Sequence, residues 1–147
     1  VTDAPTATVA LVGAGPGDVD LLTLRASARL ETAATVMCDD ALVPLATALA
    51  AGAHVVPADG LTPDAVARLL AAGPAPAVRL YEGDPWLHDS HGAEAAALTG
   101  LGVATVAVPG VSCAIGRATL ARRPTHHRHR SVVAVIHGPP LPDLHHG

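Results

Sequence analysis

Short apolar, β-rich runs alternate with longer helix-compatible segments five times between residues 8 and 108. A chain patterned this way has few folds open to it. Each apolar run must be buried on both sides, and each intervening segment is long enough to cross over and return. The expectation is an α/β fold, a mostly parallel five-stranded sheet with helices on both faces. Strands are expected at 8–12, 35–38, 54–56, 78–81 and 104–108. Helices are expected at 21–32, 42–51, 63–72 and 93–101. The first would carry an apolar face of Leu21, Leu24 and Ala28, Gly52 stops the second, and Thr62 caps the third with Pro63 in its first turn. Pro109-Gly110 then breaks the chain before one more helix. Phe is absent and Trp and Tyr occur once each, so the core must be built from Ala, Val and Leu. Past residue 122 a cluster of His and Arg leads into a sixth apolar run at 131–136 and a Pro-rich tail. The expected division is an α/β domain over 1–121 and, over 122–147, a linker, one further strand and the tail.

Several chemistries are excluded early. Every basic residue other than His is Arg, which rules out a lysine Schiff base or a lysine proton donor. A net charge of -4 provides no field to hold nucleic acid. Cys38 and Cys113 belong to no CxxC pair, so neither a disulfide framework nor a zinc site is expected, and a reducing compartment fits. No stretch reads as a leader or a membrane span, and the expected location is cytoplasmic. His126, His127, His129, His145 and His146 are metal-ligand types, but Arg128 and Arg130 oppose a bound cation, so no metal is expected.

Three segments carry the chemistry. Gly13-Ala14-Gly15-Pro16-Gly17-Asp18 follows the first strand directly, where open α/β sheets bind small ligands beyond the carboxyl ends of their strands. It lacks the third glycine of a dinucleotide fingerprint, and Pro16 removes a backbone donor, so a pyrophosphate cradle is disfavoured. Gly83-Asp84-Pro85-Trp86 leaves the fourth strand on the same edge. There Asp84 is either an acceptor for a ligand's hydroxyl or amino groups or the first residue of an Asx turn. Val108-Pro109-Gly110-Val111-Ser112-Cys113 leaves the fifth strand, with Ser112 a helix cap or a ligand contact. Cys113, at a helix start, also invites a nucleophile reading, although no base lies in sequence reach.

In this order and at these separations the three segments resemble the tetrapyrrole methylases. The likeness rests on Leu11-Val12-Gly13-Ala14-Gly15-Pro16-Gly17-Asp18 with Leu21-Leu22-Thr23-Leu24-Arg25, on Val78-Arg79-Leu80 with Gly83-Asp84-Pro85, and on Val108-Pro109-Gly110-Val111-Ser112. It spans about residues 8 to 138. The uroporphyrinogen-III C-methyltransferases are the most similar group. The precorrin-4 C11-methyltransferases come second, on the short loop around Asp59 and Thr62, on Leu42-Val43 and on Leu87.

The resemblance implies C-methylation of a tetrapyrrole from S-adenosylmethionine in siroheme or cobalamin synthesis. Gly15, Pro16, Gly17, Gly83, Asp84, Leu87, Ser112 and Cys113 would line the cofactor site. An acid at the end of the second strand would act as base: Asp39 by gapless counting from Pro16, Asp40 by anchoring on Leu42-Val43. It further implies that this chain is the first of two domains, with the second largely missing. A homodimer partner or a separate C-terminal half would then complete the cleft.

Against the family pattern, Glu82 replaces the first glycine of Gly-Gly-Asp-Pro, and Asp89-Ser90-His91 replaces a Gly-Arg-Gly run. The loop that bears a functional Lys is missing between Val56 and Thr62. These departures keep a rival open, a non-catalytic relative that retains the fold as a binding or dimerisation module. His88 and His91, beside the expected cleft, are further candidates for contact with a substrate carboxylate.

Overall fold

The computed structural model describes residues 9–87 and 89–125. Five strands, β1 (Val9–Gly13), β2 (Thr35–Cys38), β3 (His54–Pro57), β4 (Ala77–Tyr81) and β5 (Thr105–Val108), form one sheet in the order β3-β2-β4-β1-β5. All four pairings are parallel, with Val9 opposite both Ala77 and Thr105, and Thr35 opposite both Ala77 and His54. The α/β class and the five-stranded parallel sheet expected from the alternation are what the chain adopts.

Among the described residues there are five helices, α1 (Leu24–Glu31), α2 (Val43–Leu49), α3 (Pro63–Ala72), α4 (Asp89–Gly100) and α5 (Cys113–Leu120), of which the first four pack on the sheet. Side chains alternate across a strand, so odd and even positions build separate cores. Ala10, Val12, Val36, Val78 and Leu80 pack on one face with Ala26 and Leu30 of α1 and Ala46 of α2. Val9, Leu11, Met37, Ala77 and Tyr81 pack on the other with Val66, Ala67 and Leu70 of α3 and Leu98 of α4. β1 and β4 are buried throughout, whereas β3 lies at an edge with its residues partly or fully exposed.

Two helix starts differ from expectation for the same reason, a turn that precedes the helix. Val19–Leu21 is a separate 3-10 turn, and the Thr23 hydroxyl accepts a 3.2 Å hydrogen bond from the Ala26 amide, so α1 begins at Leu24. Counting from this cap moves the buried face to Ala26 and Leu30; Leu24 is 92% exposed and Ala28 is exposed. Asp40–Leu42 likewise forms a 3-10 turn ahead of α2, whose first turn contains Pro44, where a missing amide costs nothing. α4 starts at Asp89 and runs through Gly92, ahead of the expected start at 93. The run expected as a strand at 131–136 and the His/Arg cluster from 126 lie outside the described residues. No helix among the described residues is long and apolar enough to cross a membrane.

Candidate functional site

Because β4, β1 and β5 are neighbours, the turns that leave them emerge side by side at the carboxyl edge of the sheet. They are also tied together. The Ala14 amide donates to the Tyr81 carbonyl at 2.7 Å. Gly15 and Gly83 then exchange hydrogen bonds of 3.1 and 2.9 Å as an antiparallel bridge. That bridge needs Gly83 at φ 70°, a left-handed conformation open to glycine. The Gly110 amide donates to Asp84 Oδ2 at 3.2 Å, which joins the second turn to the third. Cys113 Sγ donates to the Gly15 carbonyl at 3.5 Å, which joins the third to the first. Thr23 Oγ1 adds a 3.4 Å bond to the Pro109 carbonyl, so the start of α1 is held to the same rim. Pro16, Asp84 and Ser112 therefore belong to one connected assembly.

Within it the expected residues differ in what they leave available. Pro16 sits against α5, where a Cβ on Gly116 would lie 3.2 Å from its Cγ. Gly17 is exposed at φ 101°. Asp84 Oδ1 accepts from the Trp86 amide at 2.9 Å, the Asx-turn alternative, while Oδ2 takes the Gly110 amide. Leu87 and Trp86 are 41% and 57% exposed. Ser112 holds the N-cap position of α5 without making a capping bond, and its Oγ is buried with no partner among the described residues. A buried hydroxyl left in this condition is unfavourable unless something else bonds to it. The nucleophile reading of Cys113 fails: burial first, then the Glu82 carboxylate, push its thiol pKa up rather than down.

The second-strand acids are at the same edge, since β2 pairs with β4 through Cys38 opposite Leu80. Asp40 is exposed, and its amide donates to Asp59 Oδ1 at 3.2 Å. Asp39 is the outer end of a buried polar chain that inspection of the sequence missed. Arg79, 4% exposed, donates from Nη2 to Asp39 Oδ1 at 2.9 Å, from Nε to Glu94 Oε2 at 2.8 Å, from Nη2 to Glu94 Oε1 at 3.2 Å, and from Nη1 to the Leu80 carbonyl at 3.0 Å. Tyr81 donates its hydroxyl to Glu94 Oε2 at 2.8 Å. Burial works to lower the Arg79 pKa, but the Glu94 and Asp39 carboxylates outweigh it and hold the guanidinium charged. Burial and Glu94 keep the Tyr81 phenol protonated. The available signal was an Arg inside an otherwise apolar strand, which demands a partner.

His91 is not a cleft residue: it is 8% exposed, stacked 4.0 Å from the Tyr81 ring, with Nδ1 3.1 Å from the Pro85 carbonyl. His88 lies outside the described residues. Glu82 turns outward and pairs with Arg117 of α5, both substantially exposed.

Comparison with known proteins gives a consistent picture. The family model for tetrapyrrole (corrin/porphyrin) methylases matches residues 8–146. A siroheme synthase from Gluconobacter oxydans is 38% identical over 130 residues, 80% of this chain and 27% of that protein. The crystal structure of uroporphyrin-III-C-methyltransferase from Thermus thermophilus superposes with a TM-score of 0.72 at 38% identity, over 82% of this chain and 55% of that one. The same enzyme complexed with S-adenyl homocysteine gives 0.68 at 36% identity, over 82% of this chain and 54% of that one. The chain thus spans about a quarter of the siroheme synthase and about half of the methyltransferase.

Proposed function

The chain belongs to the tetrapyrrole (corrin/porphyrin) methylase family, and we propose that it is the donor-binding α/β half of an S-adenosylmethionine-dependent tetrapyrrole C-methyltransferase with a substrate of the uroporphyrinogen-III type. The observation that carries this reading is the three-turn rim with the buried hydroxyl of Ser112 in it, unpartnered among the described residues. Close backbone contact among glycine turns makes a cradle, and an orphan hydroxyl beside it suits a polar ligand. The residues present therefore fit the methyl donor: Gly15, Pro16 and Gly17 on one side, Gly83, Asp84 and Leu87 on the second, Ser112 and Cys113 on the third.

When bound, S-adenosylmethionine would supply an electrophilic methyl group for transfer to a ring carbon of the tetrapyrrole. The positive charge that transfer would leave on the macrocycle is discharged by the loss of a carbon-bound proton. On this reading a carboxylate at the cleft edge, Asp39 or Asp40, accepts that proton. A second domain or a partner chain completes the enclosure, and the reaction proceeds in a reducing, cytoplasmic setting.

The rival reading, a non-catalytic binding or dimerisation module, draws its support from Glu82, a side chain where the family has glycine, and from the absence of Lys. Calorimetric titration of the full chain with S-adenosylhomocysteine separates the two. Micromolar binding is expected, and no heat at millimolar ligand would favour the module. Methyl transfer assayed in parallel on uroporphyrinogen III and precorrin-4 then assigns the substrate.

A further inference from the structure

A buried ion pair is a poor device for stability alone, because apolar residues of the same volume often serve as well or better. The chain nevertheless places Arg79 in the middle of a fully buried strand and Glu94 opposite it on α4, and satisfies four of the arginine's five N–H groups. Glu94 is 6% exposed and Tyr81, which donates to it, is 0% exposed. The Asp39 carboxylate, at 38%, is the end of this network that reaches solvent, and it does so at the sheet edge that carries the glycine rim. Arg79 grips Oδ1, and Oδ2 takes no hydrogen bond among the described residues.

We propose that Arg79 and Glu94 are positioning residues that fix Asp39, rather than Asp40, as the proton acceptor of the transfer, with Tyr81 locking Glu94 behind them. This rests on the reading given under Proposed function. Arg79 alone would swing between two carboxylates. With Glu94 held on both oxygens, by Arg79 and by Tyr81, the guanidinium plane is fixed and Asp39 is held by one oxygen with the other presented outward. Asp40 has no such support: it is exposed at the start of a 3-10 turn, and its own carboxylate makes no hydrogen bond among the described residues. Asp39 is base enough, because a ring that has just gained a methyl cation holds its carbon-bound proton weakly. The proton bonds to Oδ2, the C–H electron pair returns to the ring, and the acid then releases the proton to water at its exposed side.

The test compares the full chain with Asp39→Asn, Arg79→Lys, and a double variant Arg79→Met/Glu94→Leu that removes both buried charges together, each also combined with Asp39→Asn. S-adenosylhomocysteine affinity and melting temperature are measured beside turnover of uroporphyrinogen III. Asp39→Asn and the double variant should each lower kcat by about 100-fold or more, the range of lost acid–base catalysis. KM and donor affinity should stay within about twofold, because neither the donor site nor the fold is touched. Adding Asp39→Asn to the double variant should cost nothing further, whereas a purely structural Arg79 would give additive losses. Arg79→Lys, which keeps the charge without the fork, should fall between. Wild-type kcat in a stably folded double variant, additivity, or a loss carried by Asp40→Asn with Asp39→Asn unaffected would each overturn the proposal. Should the double variant fail to fold, Arg79→Lys with and without Asp39→Asn decides by the same additivity criterion. A wild-type chain that binds S-adenosylhomocysteine but turns nothing over refutes the positioning role alone; one that binds none refutes the function on which it rests.

Discussion

A Cβ on Gly13 would stand 2.7 Å from the Cα and nitrogen of Gly110, and a Cβ on Gly110 would stand 2.8 Å from the Cα of Gly13. The turns after β1 and β5 thus meet backbone to backbone, and the atoms in the way are main chain and cannot rotate aside. Gly13→Ala or Gly110→Ala should therefore force the strand ends apart. The cost is that of overpacking, about 1–3 kcal/mol or more, read by urea denaturation. Binding of S-adenosylhomocysteine should fall with it, since the same contact shapes the rim. Wild-type stability in both variants would show that the turns do not touch.

Ser112 offers the opposite pattern. Its hydroxyl is buried and bonds to nothing among the described residues, so the folded chain gains nothing from it. Ser112→Ala should leave the unfolding free energy unchanged or raise it by about 1 kcal/mol, while weakening S-adenosylhomocysteine about tenfold, the worth of one hydrogen bond to a ligand. Equal affinity in the variant would remove Ser112 from the donor site.

Unpairing the buried charge separates structure from chemistry. Glu94→Ala strands the Arg79 guanidinium, 4% exposed, with the partly exposed Asp39 as its one remaining counter-charge among the described residues. It should cost about 3–5 kcal/mol by chemical denaturation. Replacing both partners, as Arg79→Met/Glu94→Leu, should cost far less because no charge is left behind. A single variant no less stable than the double one would contradict the buried geometry.

Alkaline pH should destabilise the protein through Cys38. Burial pushes this thiol from 9.0 up to about 11, with the Arg79 charge pulling the other way and the Asp39, Asp40 and Asp59 carboxylates adding to the rise. The folded chain thus keeps its proton where the unfolded chain has lost it. The contribution is complete below about pH 9 and is lost as pH rises from about 9 to 11, a fall of about 3 kcal/mol. Tyr81, also raised by burial, adds in the same sense at still higher pH. Urea titrations between pH 8 and 11 should show a shallower fall in Cys38→Ala than in wild type; parallel curves would mean that the thiol titrates normally.

The periodicity of the chain was enough to read the parallel sheet, since runs such as 35–38 and 78–81 are too short and too apolar to be anything but buried strands flanked by crossovers. The glycine turns were legible for a similar local reason: a turn that follows a buried strand in such a sheet has to emerge at the carboxyl edge. Local pattern could not say that Leu24 faces water, because the phase of α1 depends on which of several hydroxyls caps it. Nor could it say which turns touch. That depends on the strand order, β4 beside β1 beside β5, which is a matter of long-range pairing. The Asp39–Arg79–Glu94 chain joins residues 40 and 15 positions apart, from the end of one strand, the middle of another and a helix, and although an Arg in an apolar strand signals that a partner exists, the sequence does not say which carboxylates it meets. Residue type and spacing fix what each segment can become, but the pairing of charges across a sheet exists only once burial has removed water and left each group to find its partner in the fold.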